Sequence, residues 1–139
     1  MRPNIYVTLW LITFFLALTW SGYEPKDLFT WFLEVLPALI GLALIVYSRR
    51  AFPLTPLLYT LILVHCIILM IGGHYTYAEV PLFDLIKDSF DLERNNYDKV
   101  GHFAQGFVPA ILAREVLIRK HVVNGKAWLN FYVISICLA

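Results

Sequence analysis

Long apolar stretches, separated by short polar segments, constrain this chain more than any other feature of its sequence. A transmembrane helix needs about 20 predominantly apolar residues to cross a hydrocarbon core about 30 Å thick. The stretches that meet this length approximately are residues 5–22, 28–47, 53–73 and 97–117, and another begins near Trp128 and is cut off at Ala139. We therefore predict an all-α fold, a multi-pass transmembrane helix bundle with about four full spans and the start of a fifth.

The composition supports lipid as the solvent of this fold. Hydrophobic residues make up 60% of the chain and charged residues only 15%, whereas soluble domains have about 45–50% and about 25%. The net charge of +1 and the lack of a basic stripe exclude a nucleic-acid-binding protein. Cys66 and Cys137 lie within apolar runs, which favours buried thiols over a disulfide or a zinc site.

The chain shows no internal repeat or linker, so we predict a single transmembrane domain over residues 1–139. Its first apolar run is long for a signal peptide and lacks the usual cleavage site, which favours a retained helix. Because the last apolar run stops at Ala139, we expect the natural protein to continue.

The positive-inside rule predicts the orientation. With a cytoplasmic amino terminus, seven of the eleven basic residues fall on the inner side: Arg2, Arg49, Arg50, Arg114, Arg119, Lys120 and Lys126. The segment between the third and fourth spans then lies outside. Within it, Leu82, Leu85, Ile86 and Phe90 share one helical face. This spacing predicts a short amphipathic helix that lies on the outer surface or caps the bundle.

The fourth span carries polar groups at helical spacing. At about 100° per residue, His102 and Gln105 lie within about 40° of Asp98 around the helix axis. Gly101 and Gly106 flank this polar stripe, which consists of Asp98, His102 and Gln105. Since lipid cannot satisfy such groups, we expect the stripe to face into the bundle and to line an outward-facing pocket.

Other polar side chains are predicted at the same outer level. The third span ends in GGHYTYAEVP, where the paired glycines indicate a helix end. The residues that follow at the outer level are His74, Tyr75, Tyr77 and Glu79. Glu34, about two turns into the second span, is a further candidate. We expect these groups to converge on the stripe, and we assign Asp98, His102, His74 and Glu79 as candidate catalytic residues.

Two histidines with carboxylates suit either a divalent metal or acid–base chemistry. The pattern does not decide between them, and the Asp98–His102 spacing also occurs in ordinary helix-stabilising pairs. His65, alone in the third span, is interpreted as hydrogen-bonded within the bundle. Glu115, beside Arg114, could pair across helices.

Residues 94–115, RNNYDKVGHFAQGFVPAILARE, and residues 72–85, GGHYTYAEVPLFDL, resemble the YjdF-type bacterial inner-membrane proteins over nearly the whole chain. That resemblance implies a multi-pass protein of the bacterial inner (cytoplasmic) membrane, a longer chain, and no assigned activity. DKVGHF, residues 98–103, also resembles the signature of VanZ-like membrane proteins in one helix.

Three functional hypotheses follow. The first is a pocket that either binds or both binds and processes a lipid-linked or envelope substrate, with or without a metal. The second is a small transporter or permease, and the third is a structural subunit whose polar groups only assemble helices. Enzymatic activity, cofactor and oligomeric state stay open at this point.

Overall fold

A computed structural model describes residues 5–138, which form six α-helices and, within that range, no β-strand. The helices are α1 (Ile5–Gly22), α2 (Leu28–Ser48), α3 (Pro56–Tyr75), α4 (Pro81–Ser89), α5 (Tyr97–Arg119) and α6 (Lys126–Leu138). The predicted all-α class is confirmed. Arg2 and Ala139, which entered the predictions of orientation and of the last span, lie outside the described residues.

Local sequence explains where the apolar helices begin. The Asp27 carboxylate accepts a 2.7 Å hydrogen bond from the Thr30 backbone N–H and caps α2. Hydrogen bonds from Thr30 also lower the pKa of Asp27. Thr55 caps α3, and Pro56 occupies the first turn, where its missing N–H removes no helical bond.

The α3 helix is the centre of the bundle, because it packs against α1, α2 and α5, while α6 packs against α5. The buried apolar core consists of Trp10, Phe14, Val35, Ala38, Cys66, Leu69 and Met70. Helices α1 and α2 make few direct contacts with each other, and the same holds for α2 and α5. Each side of α2 therefore borders a groove.

Among the described residues, three helices are long and apolar enough to cross a membrane: α1, α2 and α3. Large apolar side chains on them, such as Leu16, Phe29 and Leu44, are exposed. Lipid would cover such side chains without a penalty, whereas water would not. The α5 helix is long enough to cross, at 23 residues, but its polar residues distinguish it from these three.

The bundle has two ends. The Tyr77 end holds the last turns of α1 and α3, the first turns of α2 and α5, and α4. The Arg119 end holds the opposite turns of α1, α2, α3 and α5.

The predicted amphipathic helix is present as α4, over Pro81–Ser89. Its Phe83 ring packs edge-on against Tyr97 at 5.2 Å. Leu82 and Leu85 are exposed, as is Phe90 at the helix end. Because the predicted apolar face is directed away from the bundle, the surface placement fits the structure better than the capping one.

Candidate functional site: a tyrosine–glutamate centre and a groove beside it

The polar stripe of α5 is not directed into the bundle, so this prediction was wrong for His102 and Gln105, which are exposed. The buried face of α5 carries Tyr97, Gly101, Ala104 and Val108. This face lies about 100° around the helix from the stripe. The small residues decide the orientation, since they allow α5 to approach its neighbours closely.

Asp98, at the top of the stripe, is half-buried. Its Oδ2 atom accepts a 3.0 Å hydrogen bond from Arg94, four residues earlier. Its Oδ1 atom is buried and has no hydrogen-bond partner among the described residues. Asp98 therefore retains an unused acceptor at the Tyr77 end.

His74 connects α1 to α3. Its Nδ1 lies 3.0 Å from the Ser21 carbonyl oxygen, and its ring packs against Trp20 and Tyr75. The His74 carbonyl accepts a hydrogen bond from the Lys26 backbone N–H. These contacts give His74 a role in holding the ends of two helices.

Glu79 forms an ion pair with Lys26, and both side chains are about half exposed. Within residues 5–138, no hydrogen bond or ion pair joins any two of Asp98, His102, His74 and Glu79. The same range contains no group of three His, Cys, Asp or Glu side chains placed to hold a metal ion. The predicted convergence is therefore not found among these contacts, and a catalytic role for the four residues stays a prediction.

The side chain that enters the bundle at this end is Tyr77. We predicted that α3 ends at the paired glycines, but the helix continues to Tyr75. Thr76 then adopts a positive φ of 55°, and the chain reverses. The Tyr77 ring lies between Gly72 of α3 and Gly101 of α5. A Cβ atom at Gly72 would lie 2.5 Å from the ring, and one at Gly101 would lie 2.6 Å from it.

Glycine is therefore required at both positions for Tyr77 to fit. The Tyr77 hydroxyl donates a 3.1 Å hydrogen bond to Glu34 Oε2 on α2. Burial and the neighbouring Glu34 carboxylate raise the pKa of Tyr77 above its ordinary value of 10.0. The phenol thus stays a neutral donor. We name Tyr77, Glu34, Gly72 and Gly101 the tyrosine–glutamate centre.

Tyr97 and Asn95 surround this centre. The Tyr77 and Tyr97 rings lie 5.8 Å apart, and the Tyr97 hydroxyl donates to the Ile68 carbonyl at 2.9 Å. The Asn95 amide donates to the Val80 carbonyl and to Asp84, each at 2.9 Å. These bonds fix the loop before α5 to the first turn of α4.

Next to the centre, the groove between α2 and α5 contains a cavity of about 340 Å³. Its floor is α3, with His65 and Cys66. The helix prolines Pro37 and Pro109 line its two walls. All four lie near the middle of their helices.

We predicted that His65 is hydrogen-bonded within the bundle, and the part of the chain that the structure describes does not show this bond. The His65 Nδ1 atom is buried and has no partner among the described residues. A buried imidazole nitrogen without a hydrogen-bond partner is costly in free energy. The other side chains of the groove lining are apolar except for Ser48 and Cys66. The sequence signal for this site was three interruptions of apolar helices at a similar depth, two prolines and one histidine.

Helices with exposed apolar side chains, packed around α3, define an integral helical membrane protein. Comparison with known protein families and proteins identifies the family within this class. Residues 6–139 match the family described as "Predicted membrane protein (DUF2238)". The chain is also 48% identical to the "Inner membrane protein YjdF" of Escherichia coli (strain K12) over 128 residues, 92% of this chain. The chain belongs to this YjdF family of membrane proteins, which confirms the resemblance seen in residues 72–85 and 94–115.

The chain spans 61% of the length of that Escherichia coli relative. No solved structure matches the chain. The local resemblance of residues 98–103 to VanZ-like proteins stays a prediction.

Proposed function

We propose that this protein is a bacterial inner-membrane protein that binds a lipid-linked or other amphipathic envelope molecule in the groove between α2 and α5. One observation carries the proposal: a membrane-depth groove lined by apolar side chains except for Ser48, Cys66 and His65, whose Nδ1 atom is buried and unpaired among the described residues. Small-molecule sites have this character, with apolar walls and a few polar groups that orient the ligand. Its volume of about 340 Å³ lies within their usual range.

The position of the groove supports an amphipathic ligand. Because α2 and α5 both pack on α3 but hardly on each other, the groove opens sideways. A hydrocarbon chain can enter from the bilayer by this route. Pro37 and Pro109 each leave the carbonyl four residues earlier without its helical N–H partner, and these carbonyls add acceptors near the wall.

The tyrosine–glutamate centre lies about one helical turn beyond the groove, since Gly72 follows Leu69 and Glu34 precedes Ala38. We infer that Tyr77 closes the groove at this end. A chemical step would involve Asp98, His102, His74 and Glu79 at the same end. Asp98 has the strongest support, because its Oδ1 atom is buried and unpaired.

The topology is part of the proposal. At 23 residues, α5 is about 34 Å long, enough to cross a bilayer. We propose α5 as a fourth span, α6 as part of a fifth, and a cytoplasmic amino terminus. The support is the excess of Arg and Lys at the Arg119 end.

A groove-filling variant tests the binding site. Gly41 lines the groove, and a Cβ atom there would meet nothing within 4 Å. Gly41→Leu should therefore fold and occupy the space. Gly106→Leu is the matched control, because Gly106 is equally open but does not line the groove.

The measurement is mass spectrometry of the molecules that copurify with each variant in mild detergent. We expect Gly41→Leu to lose a bound amphipathic molecule that wild type and Gly106→Leu retain. His65→Phe should weaken retention without closing the groove. Equal retention by all four proteins would refute this site.

A transporter is the second candidate, because both helix prolines line a cavity near the middle of the bundle. Transporter sites often lie at the midplane between interrupted helices. Cysteines at Ser48 and Leu69, introduced after replacing Cys66 and Cys137, would report access from the two sides. Labelling of each position from one side only would favour a binding protein, whereas labelling of both positions from both sides would favour transport.

A further inference from the structure

A second groove lies on the other side of α2, between α1 and α2. It shares Ile45 and Leu54 with the groove proposed above as the ligand site, and its other lining residues are different. It encloses about 280 Å³. Most of its lining side chains are apolar, among them Val7, Leu11, Leu42 and Val46. The apolar part of this groove is therefore suited to a hydrocarbon chain.

The mouth of this groove carries a positive charge. Arg49, at the C-terminal cap of α2, lines it and is exposed. In the part of the chain that the structure describes, Arg49 has no ion-pair partner, and Arg50 beside it has none either. The charge on Arg49 is thus available at the point where the apolar groove opens.

Three aromatic side chains keep the groove open. Tyr6 donates a 3.0 Å hydrogen bond to the Pro56 carbonyl, and the Trp10 indole donates a 2.8 Å bond to the Tyr59 carbonyl. The Tyr59 hydroxyl accepts from the Leu54 backbone N–H at 3.2 Å. Because these contacts fix the rings to α3 and its preceding loop, the groove is preformed.

We propose that this groove binds an anionic phospholipid, with an acyl chain between α1 and α2 and the phosphate at Arg49. Arginine presents several N–H donors in a planar fork that matches phosphate oxygens. Aromatic rings at this level are typical of the headgroup region. A free phosphate ion would use Arg49 but not the apolar groove, so the combination specifies a lipid.

Native mass spectrometry of the full chain tests this, with phosphatidylglycerol and phosphatidylcholine as the added lipids. We expect one phosphatidylglycerol to be retained in preference to phosphatidylcholine. Arg49→Gln should reduce its retention roughly tenfold, through loss of charge-assisted hydrogen bonds. Arg114→Gln, also exposed and without an ion-pair partner among described residues, should retain it.

The chain-binding part has its own pair of variants. Val46→Trp fills the groove and should reduce retention of both lipids, whereas Ile40→Trp, exposed on the same helix outside either groove, should not. Excess inorganic phosphate should leave retention unchanged. Equal losses in Arg49→Gln and Arg114→Gln, full retention by Val46→Trp, or displacement by phosphate would each overturn the proposal.

Discussion

The two ends of this bundle are joined in different ways. At the Tyr77 end, α2, α3 and α5 meet around one aromatic ring that fits between Gly72 and Gly101. Among the described residues, the single polar contact of this ring is the hydrogen bond from its hydroxyl to Glu34. The packing of the three helices around the ring therefore depends on shape.

At the Arg119 end, charged side chains join α5 to the start of α3. The Glu115 carboxylate accepts hydrogen bonds from the Thr55 backbone N–H at 3.0 Å and from the Thr55 hydroxyl at 2.7 Å. Arg119 donates to Glu115 at 2.8 Å and to the Pro53 carbonyl at 2.6 Å, and it lies over the Phe52 ring. Glu115, for which the sequence left a pairing across helices open, thus contacts Thr55 at the start of α3.

This difference sets the expected size of mutational effects. Removing or adding atoms in a close-packed slot changes the free energy of unfolding by several kcal/mol. Ion pairs near water contribute only about 0–1 kcal/mol. Stability should therefore depend more on the Tyr77 end than on the Arg119 end.

The largest effect is expected for Tyr77→Ala, which empties the slot between α3 and α5. Buried aromatic residues lose about 3–5 kcal/mol in the free energy of unfolding when they are replaced by Ala. Because Tyr77 is half-buried, its loss should lie near the lower end of this range. Tyr77→Phe keeps the ring and should lose only about 0.6 kcal/mol, a typical value for a hydrogen bond between membrane helices. Unfolding in mixed micelles by denaturing detergent measures both.

Tyr23→Ala is the control for this pair, because Tyr23 lies at the same end and is 71% exposed. It should leave the unfolding free energy almost unchanged. A similar loss in Tyr77→Ala and Tyr77→Phe would show that the hydroxyl, rather than the ring, joins the helices.

The second effect is expected for Gly101→Ala. Its new Cβ would lie 2.6 Å from the Tyr77 ring, and overpacking of this kind costs about 1–3 kcal/mol. Gly106→Ala, on the same helix with nothing within 4 Å, should be neutral or slightly stabilising. A double-mutant cycle sharpens the comparison, because Gly101→Ala should cost nothing further once Tyr77 is Ala. If the losses in the two single variants were additive, the proposed contact between the Tyr77 ring and residue 101 would be contradicted.

The apolar helices could be predicted from the sequence because lipid imposes a simple condition on them. The first span was predicted over residues 5–22, as observed, and α2 and α5 begin where expected. Capping by Asp27 and Thr55 is also local. The end of α3 was placed too early, since Gly72 and Gly73 serve close packing there rather than helix termination.

The candidate site could be predicted only in part, because its contacts join residues far apart in sequence. Glu34 and the segment after α3 were expected to meet, and they do so through Tyr77 rather than through His74 or Glu79. The polar stripe on α5 did not indicate which of the two helix faces beside it is directed into the bundle. Gly101 carried that information, but only the Tyr77 ring, from another segment, shows why residue 101 must be small. Whether the His65 Nδ1 atom finds a hydrogen-bond partner depends on every helix that packs against α3, so the sequence around His65 does not determine it.

The smallest effect is expected at the Arg119 end. Glu115→Gln keeps the side-chain shape but removes the charge that Thr55 and Arg119 both contact, and it should cost about 1 kcal/mol. Arg119→Gln should cost less, because its ion pair with Glu115 is partly solvated. Added salt should reduce both losses, whereas it should not change the Tyr77→Ala loss. Arg114→Gln controls for general charge removal on α5. If Glu115→Gln destabilised the bundle as much as Gly101→Ala, charge would matter as much as shape, and the contrast between the two ends would fail.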